Sequence, residues 1–254
     1  MRLIVNADDF GYSRGVNEGI IIAFQQGIVT STSLMVNEEG SEHAFDLLKN
    51  KCIPGTGVHL CITHGRPVSP VETIPSLVDR AGSFKKINAF YGEPVNLEEV
   101  IREFEAQVQK AVSRGINVTH LDTHHHIHLH PVVLQAVIAV ALEYGLPVRS
   151  VNEEMKNTFL VRGISTPDYF CAEWFGDAVS FANFKEIIST AQNKSIALME
   201  LMTHPGKVDQ TLSRNSSYKE GREKELEILC DSSTREFLKE RNIELIGRSA
   251  SLDK

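Results

Sequence analysis

Cysteine is sparse in this chain, and its spacing offers no framework. Cys52, Cys61, Cys171 and Cys230 are the four present, and no two form a C-x-x-C pair. That excludes a zinc ribbon, a thioredoxin-type redox motif and a disulfide scaffold. In a reducing compartment the four read as small buried thiols. No apolar run approaches the roughly 20 residues that span a bilayer. The opening MRLIVNADDF lacks the apolar core of a signal peptide, so a cytoplasmic protein with no membrane partner is expected. Basic charge is in deficit: the formal net charge is −7, which argues against a nucleic-acid partner. Aromatics make up only 7%, too few to pave a long polysaccharide groove. The glycine fingerprint of dinucleotide sites and the P-loop are both absent.

What remains is an ordinary globular composition, 42% hydrophobic and 23% charged over 254 residues. One domain spanning 1–254 is expected, with a core of proper size. Short β-branched runs alternate with longer helical stretches. Strands are predicted at 2–6, 30–36, 57–61, 118–123, 148–151, 169–172, 196–202 and 243–246, each apolar enough for a buried parallel strand. Asn96 and Glu99 resemble a capping box, followed by Val100, Phe104, Val108 and Ala111 at helical spacing until Gly115. Pro131 suits the first position of a second helix, with Leu134, Val137, Ile138 and Ala141 as its stripe. Further helices are predicted near 16–26, 42–50, 181–192 and 218–230. The pattern is α/β: a TIM-like (β/α) barrel, distorted, with a doubly wound open sheet as the alternative. The stretch 64–95 breaks the rhythm with Gly65, Pro67, Pro70, Pro75, Gly82, Gly92 and Pro94. It reads as a long loop insertion lying over the active-site face.

Histidine is the residue in excess. Six of the ten lie between His120 and His130. Reactive groups in parallel βα folds collect at the C-terminal ends of strands, and four polar clusters sit at such ends. Asp8 and Asp9 follow the first strand. Neighbours on a regular strand face opposite ways, so both reach one site only where the chain turns, and Gly11 is free to supply that turn. They read as a metal-binding carboxylate beside a general base, or as a helix cap beside a solvated acid. His120, Asp122 and His124 alternate onto one face, which a bound metal would satisfy. His59 is a lone imidazole in an apolar strand, with Cys61 on its face, and a satisfied core histidine is the plainer reading. His204 follows a strand in a rigid Pro205-Gly206 turn, where a catalytic acid would fit.

The motifs VNADDFG, GVHLCIT, THLDTHHHIHLHP and ELMTHPG, in this order, resemble the YdjC-like carbohydrate deacetylases, which include chito-oligosaccharide deacetylases. TSTSLMVN (30–37), WFGDAVS (174–180) and the region 222–229 also fit. The resemblance implies a (β/α) barrel holding one divalent metal through Asp9, His59 and His124. It implies hydrolysis of an N-acetyl group on a sugar, with Asp8 as general base, His204 as general acid and Arg149 orienting the base. His64 stands where that family more often has an apolar or uncharged residue.

On this reading the substrate is a small N-acetylated sugar, with Asp8 ionised and His204 protonated. Two imidazoles and a carboxylate suit Zn²⁺ by ligand type, the resemblance allows Mg²⁺, and Mn²⁺ or Co²⁺ are compatible. Trp174, Phe175, Phe84 and Tyr91 read equally as sugar contacts or as packing. A metallo-phosphoesterase on a similar barrel and a non-catalytic sugar-binding or regulatory protein are the alternatives. A homodimer is compatible with all three.

Overall fold

A computed structural model of the chain describes residues 1–50 and 52–248. Its centre is a parallel sheet of β1 (Arg2–Phe10), β2 (Ser31–Leu34), β3 (Thr56–Leu60), β4 (Val118–Thr123), β5 (Tyr169–Cys171), β6 (Leu198–Thr203) and β7 (Glu244–Leu245). The order across the sheet is β4-β3-β2-β1-β6-β5, with β7 pairing the start of β1. Helices connect the strands and cover the sheet, giving a half-barrel. β1, β2, β3 and β6 are almost wholly buried, which explains their apolar and small residues, and the exceptions Asn6, Asp8, Asp9, His59 and Glu200 are buried polar groups that need partners.

The expected helices form, though the capping box expected at Asn96 is only half made, because Asn96 N donates to Ser76 Oγ and the Glu99 carboxylate accepts from Ser76 N instead. Asn96 Oδ1 accepts from Glu98 N at 2.9 Å and Glu99 N at 3.3 Å, and Leu97–Ser113 buries Val100, Phe104, Val108 and Ala111. Pro131 opens the helix Pro131–Tyr144, and Gly145 closes it in the left-handed conformation. Helices Glu153–Val161, Gln210–Asn215 and Ser232–Glu240 also form, in stretches where the sequence pattern predicts no element. No helix among the described residues is long and apolar enough to cross a membrane.

Two expectations change. The strand predicted at 148–151 is a single parallel bridge between Val148 and Leu121. Asn152 already caps the next helix, its Oδ1 accepting from Met155 N at 2.8 Å, so the chain has no length left for a strand. The stretch 64–95 is ordered rather than structureless. It contains a turn at Val71–Thr73, an antiparallel bridge from Val78 to Phe84 and a helix at Ile87–Gly92.

This insertion is strapped to the helix Leu97–Ser113. The buried Glu103 carboxylate accepts from Val68 N at 3.0 Å and Ser69 N at 2.9 Å. Glu99 accepts from Ser76 N at 2.6 Å, and Arg102 donates to Thr73 O at 2.7 Å. Removing Glu103 would orphan two backbone N–H groups, each costing about 1–3 kcal/mol when buried. Glu103→Ala should therefore lower the unfolding free energy by roughly 2–4 kcal/mol in urea titration.

Candidate metal centre and its polar surroundings

β1 runs further than its apolar residues, through both acids to Phe10. Its pairing with β2 shifts register between Ala7 and Phe10, and Asp9 has a φ of 67°. The irregularity lets adjacent carboxylates reach one site, which a regular pleat would forbid. Gly11 follows at φ 97°, where an added Cβ would stand 2.5 Å from Met35 O, so only glycine fits the turn.

The site forms where three strands end. Asp9 Oδ1 lies 3.1 Å from His124 Nδ1 and 3.4 Å from His59 Nε2, and the two nitrogens are 3.3 Å apart. Donors bonded to one shared ion at about 2.0–2.2 Å stand roughly 3–3.5 Å from one another. Asp9 Oδ1 is buried and makes no hydrogen bond. The residues thus fit a divalent ion by spacing, by donor type and by an acceptor left otherwise unsatisfied.

Each donor is held from behind. His59 Nδ1 pairs with Asp122 Oδ1 at 2.8 Å, which leaves the Nε2 lone pair toward Asp9 when Nδ1 carries the proton. Arg222 Nη2 donates to Asp9 Oδ2 at 2.6 Å, leaving Oδ1 for the other side. His124 begins a turn, His124–Leu129, in which His125 and His126 take left-handed φ values of 57° and 50°. The expected strand alternation therefore stops at Asp122, and His124 reaches the site because the chain turns. His120 lies deeper, fully buried, with Nε2 3.3 Å from Ser33 Oγ. Cys61 is buried and burial pushes its thiol up, so it is an inert neighbour.

Asp8, His59 and Asp122 form a second group with metal-like spacing, but a guanidinium already sits among its acids. Arg149 is fully buried. It donates to Asp8 through Nη1 and Nη2, each at 2.7 Å, and to Glu200 through Nε at 2.9 Å. Its Nη2 is also 3.0 Å from Asp122 Oδ2. Burial alone would raise Asp8, yet Arg149 holds it below the usual carboxylate range. Asp9 is likewise held well below that range by Arg222 and His124, against its burial.

His204 follows β6, with its backbone N–H donating to Glu225 Oε2 at 2.5 Å. Burial pushes its imidazole down to about 4, against the pull of Asp9 and Asp8. The resting histidine is thus neutral near pH 7, where the sequence reading has it protonated. His64 borders the site, with Nδ1 2.8 Å from Glu38 Oε1 and Nε2 3.3 Å from the Tyr12 hydroxyl. Two cavities open here. One of about 410 Å³ is lined by Asp9, His64, Lys86, Phe175, His204 and Arg222 among others. The other, about 450 Å³, includes Asp8, His126, Ala172, Phe175, Met202 and His204. His64, Lys86 and Ile87 come from the insertion, so it does lie over this face.

The family model of the YdjC-like proteins matches residues 2–240. This chain belongs to the YdjC-like family. A Brevibacillus brevis relative named carbohydrate deacetylase is 39% identical, over 97% of this YdjC-like chain and 98% of the relative. A Proteus mirabilis relative named chitooligosaccharide deacetylase is 38% identical over 96% of each. A crystal structure from Enterococcus faecalis V583, provisionally described as a cellobiose-phosphate cleavage protein, superposes with a TM-score of 0.92. It is 33% identical and 98% of each chain is covered. The lactam utilization protein of Thermus thermophilus shares the fold at a TM-score of 0.55 and 14% identity, over 97% of this chain and 100% of that one.

Arg222 is a residue of the candidate site to which sequence reasoning assigned no role, as are Glu200, Tyr218 and Glu225. Arg222 opens the region 222–229 that fits the family resemblance, but its partner Asp9 lies 213 positions away, so no local pattern shows the pairing. The buried imidazoles give this site a pH signature. His126 and His204 are pushed down to about 4 and His128 to about 3, in each case chiefly by burial. Unfolded imidazoles bind protons below about pH 6.5, whereas these folded ones do not until near their lowered values. Stability should therefore fall as pH drops from about 6.5 toward 4. Urea midpoints measured across that range would check it, and a flat profile would contradict neutral burial.

Proposed function

We propose that this chain is a metal-dependent hydrolase that removes an N-acetyl group from a small amino sugar or chito-oligosaccharide, releasing acetate. The observation that carries the reading is the convergence of Asp9 Oδ1, His59 Nε2 and His124 Nδ1, with the carboxylate oxygen otherwise unsatisfied. The names of the family relatives support the substrate class. Asp9, His59 and His124 would hold the ion, and their mixed donors suit Zn²⁺, Mn²⁺ or Co²⁺, with Mg²⁺ favouring more oxygen. The bound ion would supply polarisation of the amide carbonyl and a lowered pKa for water.

The chain's own residues handle the protons. Asp8, kept ionised by Arg149, takes the proton from the attacking water. Arg149 also fixes the carboxylate's orientation, because both of its oxygens are held. His204 delivers a proton to the departing amine, since an amine anion is not a viable leaving group. It is neutral at rest, so it takes up a proton from solvent within the substrate complex before it donates, and Asp8 returns the proton taken from water to solvent when products leave. Arg149 weighs against a two-metal phosphoesterase, because its guanidinium already supplies positive charge to the second acidic group.

The direct test is acetate release from mono-, di- and trisaccharides of N-acetylglucosamine, using untagged protein and several divalent ions. The expected result is release that depends on about one ion per chain. Normal metal loading without acetate from any sugar would overturn the reading, and a ratio near two would favour the phosphoesterase. Asp8→Asn and His204→Ala should each lose roughly 10²–10⁴ in kcat while still binding metal. His204→Ala should also lose the alkaline limb of the pH–rate profile. Arg222→Gln should weaken metal binding by about 10–100-fold, as loss of a ligand's supporting partner does, measured by calorimetric titration.

A further inference from the structure

Four aromatic side chains read from the sequence as sugar contacts or as packing, and the structure separates them. Trp174 is fully buried, its Nε1 donating to Ser180 O at 3.0 Å. Phe84 is buried in the insertion. Tyr91 is exposed, but beside His130 rather than in either cavity. Phe175 alone of the four combines exposure, 42%, with a place on the wall of both cavities.

Its ring is backed by fixed groups. The Tyr218 ring lies 4.2 Å away at 35°, and the His204 ring stands edge-on at 5.2 Å. Tyr218 is tied down by its hydroxyl, which donates to Glu225 Oε1 at 2.5 Å. Gly176 follows with φ 61°, a left-handed turn that ends the segment carrying the ring. The exposed part of the ring faces the cavities, so a ligand with an apolar face gains by covering it. Around the same cavity stand Lys86, Asn215, Ser216 and Ser217. A pyranose has the matching chemistry, with C–H groups on its faces and hydroxyls at its edge.

We infer that Phe175, backed by Tyr218, is the stacking platform for the amino-sugar ring, placing its amide nitrogen beside His204. This rests on the proposed deacetylation and deepens it. The contact exists in both ground and transition states, so its loss acts on binding rather than on chemistry.

The test pairs kinetics with binding of the product. For Phe175→Ala, KM toward N-acetylglucosamine oligosaccharides should rise roughly 10- to 100-fold, the equivalent of leaving an aromatic side chain's contact area exposed. Its kcat should change by less than about threefold, and Phe175→Tyr should restore KM. Saturation-transfer NMR with glucosamine oligosaccharides should show contact along the ring C–H groups in the wild type and lose it in Phe175→Ala. Thermal unfolding of the variants separates lost stacking from lost folding. An unchanged KM with an unchanged NMR pattern would overturn the platform, as would a loss confined to kcat. Wild-type protein that binds the sugar ring at Phe175 yet releases no acetate would instead overturn the hydrolase and leave the platform standing.

Discussion

A single guanidinium without solvent contact organises this molecule's polar interior. Arg149 meets Asp8 from β1, Asp122 from β4 and Glu200 from β6. Three buried carboxylates in one cluster repel one another and lose their hydration, a combination that normally ends in protonation. Arg149 supplies the opposing charge and directed N–H bonds, and Arg248 adds a second cation at Glu200. Taking Arg149 away would leave buried charges uncompensated, which costs far more than the pair is worth as glue. The arrangement therefore reads as a device for keeping an ionised Asp8 inside the half-barrel.

The same logic recurs one layer outward, with a division of labour between the two adjacent acids. Asp8 has both oxygens engaged by Arg149, whereas Asp9 has one oxygen on Arg222 and the other unsatisfied. Arg222 is itself confined, with Cζ 5.8 Å from the Tyr12 ring and 5.6 Å from the Tyr218 ring. Its Nε donates to Tyr218 O at 3.1 Å. One carboxylate is held so that it stays charged, and its neighbour is held so that a single oxygen faces two imidazoles. The backbone irregularity at Asp9 is what permits two such different partners for consecutive residues.

Much of this was legible in the sequence because it follows from local pattern. The apolar stripe after Asn96, the proline at 131 and the glycines that close helices each act within a few residues. Asp8, Asp9, His59, His124 and His204 stand in the motifs that carry the family resemblance, which also singles out Arg149, and the structure brings all six to one end of the sheet. The rest depends on distance or on backbone detail. Strand alternation carries His120 and Asp122 inward, but it has no means of showing that the chain breaks into left-handed residues at His125 and His126. Arg222 is defined only by a partner at the far end of the chain. The neutral state of His204 follows from burial, which a turn motif does not report.

Register explains why the site is assembled at this height in the sheet and no other. His59 pairs directly with Asp122 across β3 and β4, so their side chains share a face and meet within hydrogen-bonding distance. Leu121 bridges Val148, and Arg149 N donates to Leu121 O at 3.0 Å. Arg149 is thereby docked beside the strand that presents Asp122. A one-residue slip of β4 would turn Asp122 to the helix-covered face and strip His59 Nδ1 of its acceptor. The short bridge at Val148 thus does what a full strand would do for this purpose: it sets one arginine in register with one aspartate. From that pairing follow the charge of Asp8 and the orientation of His59, whereas the open oxygen of Asp9 is set separately by Arg222 and the backbone irregularity of β1.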